Sequence, residues 1–372
     1  MYSAVIGLGF GDEGKGLTTD YLCSKAKNPL VVRFSGGQQA GHTVHLDGVR
    51  HVFSNFGSGT MRGIPTYWSE FCIVDPIGIV NELQILEEKG FSPVLLIDSK
   101  CPVTTPYDAY KNQKEEEVNQ HGSCGVGIGT TMAREEAFYS LTALDLMFPY
   151  ILKIKLENIR KFYNFKENVK LDRFFECVGI IHKKFNIKIE NEFPSHRGFS
   201  DFIFEGSQGL LLDQHNGFFP NVTRANIGSK NLLKLDSGRV NYPELYLITR
   251  AYQTRHGNGA MTNENIGHNI RENENETNVT NKYQGEFRRT LLDVDLLAYA
   301  ILRDDFIRDS QSKNLVITCL DHIVDEWRFT YNGQIITALN ENDFIERIST
   351  ILCIDSVYIS RGDSAKDIVK WK

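Results

Sequence analysis

Residues 3–22 read SAVIGLGFGDEGKGLTTDYL, and this stretch decides how the rest of the chain is read. A short apolar run, a glycine-rich turn and the start of a helical pattern follow one another directly. Gly9, Gly11 and Gly14 spell GxGxxG, the spacing of a dinucleotide-binding turn. Gly9 to Lys15 also spell GxxxxGK, the opening of a phosphate-binding loop. Neither pattern is complete. A phosphate loop continues with Ser or Thr, whose hydroxyl reaches Mg²⁺, but Gly16 follows here. A dinucleotide site needs an acidic residue ending the next strand to hold the ribose, and LVVRF at 30–34 leads into SGGQQ instead. Both patterns still present backbone N–H groups and a positive helix end to phosphate. Asp12, inside the loop, adds a carboxylate able to bind a metal or act as a base. A tight strand–helix turn with no ligand is the bland alternative.

Outward from this loop, PLVVRF, PVLLID, FIFEG, YLITRAY and LVITCLD read as further buried strands. Helical spacing separates them, as in IVNELQILEEKG and LDRFFECVGIIHKKF. Alternating strands and helices imply an α/β fold with a mostly parallel central sheet flanked by helices, and ligand loops at the strands' C-terminal ends. Glycine-rich patches follow several strands: SGGQQAGHT, GSCGVGIGTT and EGSQG. His42 stands in the first of these, where neighbouring glycines let the backbone approach a ligand, which favours a catalytic role over a structural one. No Pro/Ser-rich linker divides the chain, so residues 1–372 are expected to form a single elaborated domain. Residues 263–282, polar and almost without apolar anchors, predict a mobile loop, the alternative being a loop that orders over a ligand.

Composition narrows the function. Of 372 residues, 41% are hydrophobic and 11% aromatic, enough for a substantial core. The net charge of −6 contains no basic block, so no nucleic-acid partner is expected. Seven scattered cysteines with no CxxC argue against a disulfide framework or a zinc cluster and suit a reducing cytoplasm. With no secretory leader pattern and no apolar run near the roughly 18 residues of a membrane span, a cytoplasmic protein is expected.

GDEGKG followed by GGQQAGHT resembles the adenylosuccinate synthetase family. The resemblance continues in order through GSCGVGIG, FEGSQGLLLD, PNVT, AYQTRHG, FRRTLLD, TCLD and ISRGD, covering residues 5–363. It implies that family's fold, a P-loop-like relative of GTPases, and its homodimer. It also implies a ligase that joins L-aspartate to C6 of a 6-oxopurine nucleotide, with Mg²⁺ and a nucleoside triphosphate. By the same resemblance Asp12 is the base, His42 the acid, and Asp12 with the Gly41 carbonyl holds Mg²⁺. Gly11, Glu13, Gly14, Lys15, Gly16 and Thr43 line the phosphates of GTP (or ATP), with Lys15 also in the catalytic set. Asp321 reads the donor base, with Ser360 and Gly362 in the turn over it. Gln39, Ser123, Cys124, Gln208, Leu212, Thr223 and His256 fall at the acceptor nucleotide. Arg288 and Arg289 are expected to neutralise carboxylates or the γ-phosphate.

Departures from the family pattern are concentrated in specificity positions. Cys319 stands where a lysine stem covers the donor base, and Asp363 replaces a proline, so the choice between GTP and ATP stays open. Gln39 replaces Asn, Cys124 a phosphate-binding Thr, Val126 an Arg, and His256 a small apolar residue. The arginine that reaches into the partner subunit's site falls, by counting, at Phe138; a shifted helix register would give that duty to Arg134. GFFPNVTRAN and YQGEFRR are similar to the shorter phage and archaeal branch, which includes phage enzymes acting on dGMP. Those usually lack the Asp12 carboxylate, so its presence favours IMP without excluding dGMP. A catalytically altered purine-nucleotide-binding regulator of the same fold is the alternative function; an NAD oxidoreductase rests on GxGxxG alone.

Overall fold

The computed structural model describes residues 1–372 except 120–122, 195–196, 236–241, 274–275 and 277–284. Ten strands form the central sheet. In spatial order they are Ile368–Lys370, Ser356–Ser360, Lys313–Thr318, Glu244–Arg250, Tyr2–Gly7, Asp201–Gly209, Pro29–Arg33, Thr66–Trp68, Leu95–Asp98 and Ile187–Glu190. Every neighbouring pair is parallel except the edge pair Ser356–Ser360 with Ile368–Lys370. The expected strands are all in this sheet, and the helices Pro76–Glu88 and Asp172–Lys183 lie where their spacing placed them.

Parallel strands covered by helices on both faces are apolar throughout, because no face meets water. The opening strand Tyr2–Gly7 shows this: Ala4, Val5 and Ile6 are fully buried between Asp201–Gly209 and Glu244–Arg250. Its C-terminal end is therefore at the middle of the sheet, and the ends of five further strands open beside it. Ligand sites in such sheets form in the crevice outside these ends.

A second, four-stranded sheet carries Tyr252–His256 against Phe287–Asp293 and then Arg328–Tyr331 and Gln334–Thr337. The first half of the polar segment is anchored to it. The Asn263 amide donates to the Leu291 carbonyl (3.1 Å) and to Thr330 Oγ1 (2.7 Å), while Ile270 bridges Ile323. Of the segment expected to be a mobile loop, residues 263–273 carry these contacts, and the remaining part falls mostly outside the described residues. No described helix is long and apolar enough to cross a membrane.

Candidate active site

The loop after the first strand turns sharply before the helix Lys15–Lys25. Gly11, Asp12 and Gly14 all take positive φ (95°, 60° and 102°). At Gly14 glycine is required twice over, since a Cβ there would also sit 3.0 Å from the Thr318 side chain. Gly16 explains the missing Ser/Thr of the phosphate-loop pattern. A Cβ at this position would meet His42 Cβ at 2.9 Å and the Thr43 carbonyl at 3.1 Å. The helix is pressed against the strand carrying His42, and any side chain at 16 separates them. Gly16→Ser should displace His42 and lower kcat by on the order of 10²-fold, with helix content by circular dichroism unchanged.

The Glu13 side chain is buried against the backbone of the turn itself. Its carboxylate accepts from the N–H groups of Gly9 (3.1 Å) and Gly11 (2.8 Å), and pairs with Lys15 Nζ at 2.5 Å. Its carboxylate therefore shapes the loop and pairs with Lys15, while Glu13 also lines the larger of the two cavities described below. Burial pushes the Asp12 carboxyl above the ordinary carboxylate range, with Arg250 and Lys15 pulling against that shift. The Asp12 carbonyl accepts from Arg250 Nε at 2.5 Å.

His42 opens a two-stranded ribbon after the second sheet strand, and it is buried. Its Nδ1 lies 2.6 Å from Glu205 Oε1 and its Nε2 3.4 Å from the Ser207 carbonyl. Burial lowers the His42 pKa, and the Glu205 carboxylate opposes that. Glu205 is itself fully buried; burial works against its ionisation, but His42, Arg33 and Ser58 together hold it at about 2. The imidazole is thus oriented by a permanent carboxylate, as a general acid or oxyanion partner needs.

Two cavities meet at this point. One, of about 660 Å³, runs from Asp12, Lys15, Gly41, His42 and Thr43 to Cys319, Asp321, Gly362 and Asp363. The other, of about 610 Å³, runs from Ser123, Cys124 and Thr223 to Arg224, Arg255 and Asn258. Gln39, Gln208, Leu212 and His256 line both and form the neck between them. Both polar atoms of the Gln39 amide, Gln208 Oε1 and His256 Nε2 are buried there without a hydrogen-bond partner among the described residues. Buried polar atoms left unpaired cost about 1–3 kcal/mol each, so the neck is built to be completed by something polar.

Several expected site residues stand elsewhere. Arg288 and Arg289 line neither cavity. The Arg288 guanidinium binds the carbonyls of Gly257 (2.7 Å) and Gly259 (2.8 Å) and the Glu264 carboxylate; that of Arg289 binds Glu272 at 3.0 Å. Among the cations that do line the cavities are Lys15 and Arg250 in the first, and Arg224 and Arg255 in the second, Arg255 on the strand paired with Phe287–Asp293. Arg255 lies over the Phe10 ring at 4.3 Å, and burial, helped by Arg288, lowers its pKa to about 10. Arg134 does not reach outward to a partner subunit: it is fully buried, bonded to Asp108 at 2.9 Å and to the Val103 carbonyl at 2.8 Å. Phe138 is 93% exposed. Ser360 is also fully buried, with its hydroxyl turned to the Gly362 carbonyl (2.7 Å), leaving Gly362 and Asp363 to face the cleft. Glu205 escaped the sequence reading, although FEGSQG had drawn attention to its neighbour Gln208; Arg250 and Arg255 were equally inside quoted motifs.

The family model described as adenylosuccinate synthetase matches residues 4–367. This chain belongs to the adenylosuccinate synthetase family. Among its relatives, adenylosuccinate synthetase of Picrophilus torridus is 31% identical over 86% of this chain and 77% of its own length. That of Thermoplasma volcanium is 28% identical over 100% of this chain and 89% of its own. Fully ligated adenylosuccinate synthetase from Plasmodium falciparum shares the fold with a TM-score of 0.80 at 18% identity, over the whole of both chains. Cyanophage S-2L succinoaminodeoxyadenylate synthetase, solved with dGMP and with dATP as energy donor, superposes with a TM-score of 0.66 at 15% identity, over 99% and 94%. Membership makes this adenylosuccinate synthetase relative a carbon–nitrogen ligase that joins aspartate to a purine nucleotide.

Proposed function

We propose that the chain joins L-aspartate to C6 of a 6-oxopurine nucleoside monophosphate, IMP or dGMP, at the expense of GTP or ATP. The observation that carries this reading is the neck, where four buried polar atoms await a ligand between two nucleotide-sized cavities. A monophosphate with its base at the neck would direct its phosphate toward Ser123 and Arg224. A triphosphate in the other cavity would present its γ-phosphate to Lys15 and His42.

The chemistry proceeds in two displacements. Asp12 takes the proton from the base N1, so that electron density moves onto O6. O6 attacks the γ-phosphorus, the β–γ bridging bond breaks, and the nucleoside diphosphate leaves. The aspartate amine then attacks C6, the C6–O6 bond breaks with loss of phosphate, and the amine gives up its proton. His42, held through Nδ1 by Glu205, donates from Nε2 toward O6 in its protonated form, the Glu205 carboxylate supporting that charge against burial. Lys15 exchanges Glu13 for phosphate oxygens.

Mg²⁺ fits this donor set. No group of three or more His, Cys, Asp or Glu side chains among the described residues forms a metal cage. Mg²⁺ ordinarily needs only one or two carboxylates, with phosphates and water completing its shell. Asp12 and the Gly41 carbonyl, both oxygen donors on the phosphate side, would hold it, and it would neutralise charge on the phosphates.

The substrate matrix of IMP, dIMP, GMP and dGMP against GTP, ATP and dATP, each with aspartate, tests the reading through phosphate release. Absence of aspartate-dependent release in every combination would overturn it. The pH profile offers a second test. Because burial raises Asp12, the acid limb of kcat/KM should lie above the ordinary carboxylate value of about 4, activity falling as pH drops through it. An acid limb at or below that value would remove Asp12 as the base.

A homodimer is part of the same proposal. Phe138, Phe148, Tyr150, Ile151 and Ile154 expose apolar surface within seventeen residues of chain. Exposed patches of this kind mark protein interfaces. Tyr150→Glu should halve the mass measured by sedimentation; an unchanged mass would place any interface elsewhere.

A further inference from the structure

Beyond the loop and the neck, one hydrogen-bonded chain of side chains runs from the chemical centre to the far end of the larger cavity. It starts at Arg250, the last residue of the strand Glu244–Arg250, and ends at His322, just past the adjacent parallel strand Lys313–Thr318. Arg250 Nε donates to the Asp12 carbonyl, and Arg250 Nη1 donates to the Tyr252 hydroxyl oxygen at 2.8 Å. The same hydroxyl lies 2.9 Å from His322 Nδ1, and the two rings are stacked with centroids 5.8 Å apart. His322 Nε2 is 3.7 Å from Asp321 Oδ2, and both side chains line the cavity.

The proton positions follow from the donors. Arginine can only donate, so the Tyr252 oxygen accepts from it, and the phenolic hydrogen is left for His322 Nδ1. Burial raises the Tyr252 pKa, keeping that hydrogen in place, and burial lowers the His322 pKa, keeping the ring neutral. Nδ1 is then the bare nitrogen and Nε2 carries the hydrogen. Were the ring charged, Nε2 would carry a hydrogen as well. The cavity end therefore presents an N–H donor beside a carboxylate acceptor with two oxygens. That set matches a purine edge with one acceptor next to two N–H groups: a 6-oxo oxygen, N1–H and a 2-amino group. A 6-amino purine would set N–H against N–H at His322.

We propose that His322 is a specificity-determining residue for the energy donor, its Nε2–H donating to the 6-oxo oxygen of a guanine whose N–H groups Asp321 accepts. Tyr252 is the positioning residue that fixes the required tautomer. This rests on the reading of the larger cavity as the triphosphate site. It also gives donor-base occupancy a direct connection to Arg250 and Asp12.

Equilibrium binding tests it without relying on turnover. Titration calorimetry on the full chain with Mg²⁺ would compare non-hydrolysable analogues of GTP, ITP and ATP with inorganic tripolyphosphate. The wild type should bind the GTP analogue on the order of 10–100-fold tighter than the ATP analogue, with the ITP analogue between them. His322→Leu should collapse that ratio to within about threefold while tripolyphosphate affinity is retained. His322→Asn, which keeps an N–H donor, should recover part of the ratio, and Tyr252→Phe should lower it without removing it. A ratio unchanged in His322→Leu, or a wild type binding both analogues equally, overturns the proposal. If no nucleotide analogue binds the wild type more tightly than tripolyphosphate, the cavity is not a donor-base site, and the underlying reading fails with it.

Discussion

Asp12→Asn is expected to abolish ligation, lowering kcat by about 10²–10⁴-fold while the melting temperature stays within a few degrees of wild type. The asparagine keeps the shape of the side chain but cannot take a proton, so a loss on this scale reports chemistry. Position 12 has positive φ, which asparagine tolerates better than most residues, so the loop should hold its turn. The Arg250 contact is to the Asp12 carbonyl and survives the change. The measurement is aspartate-dependent phosphate release under saturating nucleotides, paired with thermal unfolding. Retained activity would show that another group deprotonates the base.

Glu205→Gln should act on both activity and stability. Glu205 is the carboxylate that orients His42, and a neutral amide leaves the imidazole without a fixed partner; second-shell losses of this kind cost about 10–100-fold. The same change strands Arg33, whose Nη1 forms an ion pair with Glu205 at 3.8 Å and whose guanidinium has no hydrogen-bond partner among the described residues. Removing one member of a buried ion pair typically costs about 3–5 kcal/mol. The stability difference has a defined pH dependence. Glu205 is held at about 2, below its unfolded value of 4.5, so its contribution is complete above that unfolded value. It is lost as pH falls through the folded value, so wild type and variant should converge there. Chemical denaturation across that window would check it; a pH-independent gap would mean that Glu205 stabilises by packing alone.

The opening loop was legible because its requirements are local. Gly11, Gly14 and Gly16 answer to backbone angle or to the space for one Cβ, and Lys15 and Asp12 lie within the same turn. The strands of the parallel sheet were legible for a related reason: burial on both faces leaves each a continuous apolar run. His42 could be singled out from flanking glycines, but its partner Glu205 is 163 residues away in the chain, and nothing local joins them. Arg134 could not be assigned from its position, since one helical register faces a partner subunit and another faces Asp108.

The arginines state the division most clearly. Sequence placed cations near the candidate carboxylate site but favoured Arg288 and Arg289, whereas Arg250 and Arg255 line the cavities. Tyr252–His256 pairs antiparallel with Phe287–Asp293, setting Arg255 opposite Arg288 and Thr254 opposite Arg289. Residues directly opposite share a face, so register sets both guanidiniums on one side: Arg255 donates to the carbonyls of Ala260 and Asn221 where it lines the second cavity, and Arg288 to those of Gly257 and Gly259 outside it. Sequence alone determined the family, the glycine-rich turn and the residue types that the proposed chemistry needs, because these are carried by short segments. Tertiary structure alone decided the Glu205–His42 pair, the neck and the Arg250–Tyr252–His322 chain, because hydrogen bonds and burial form between segments distant in the chain.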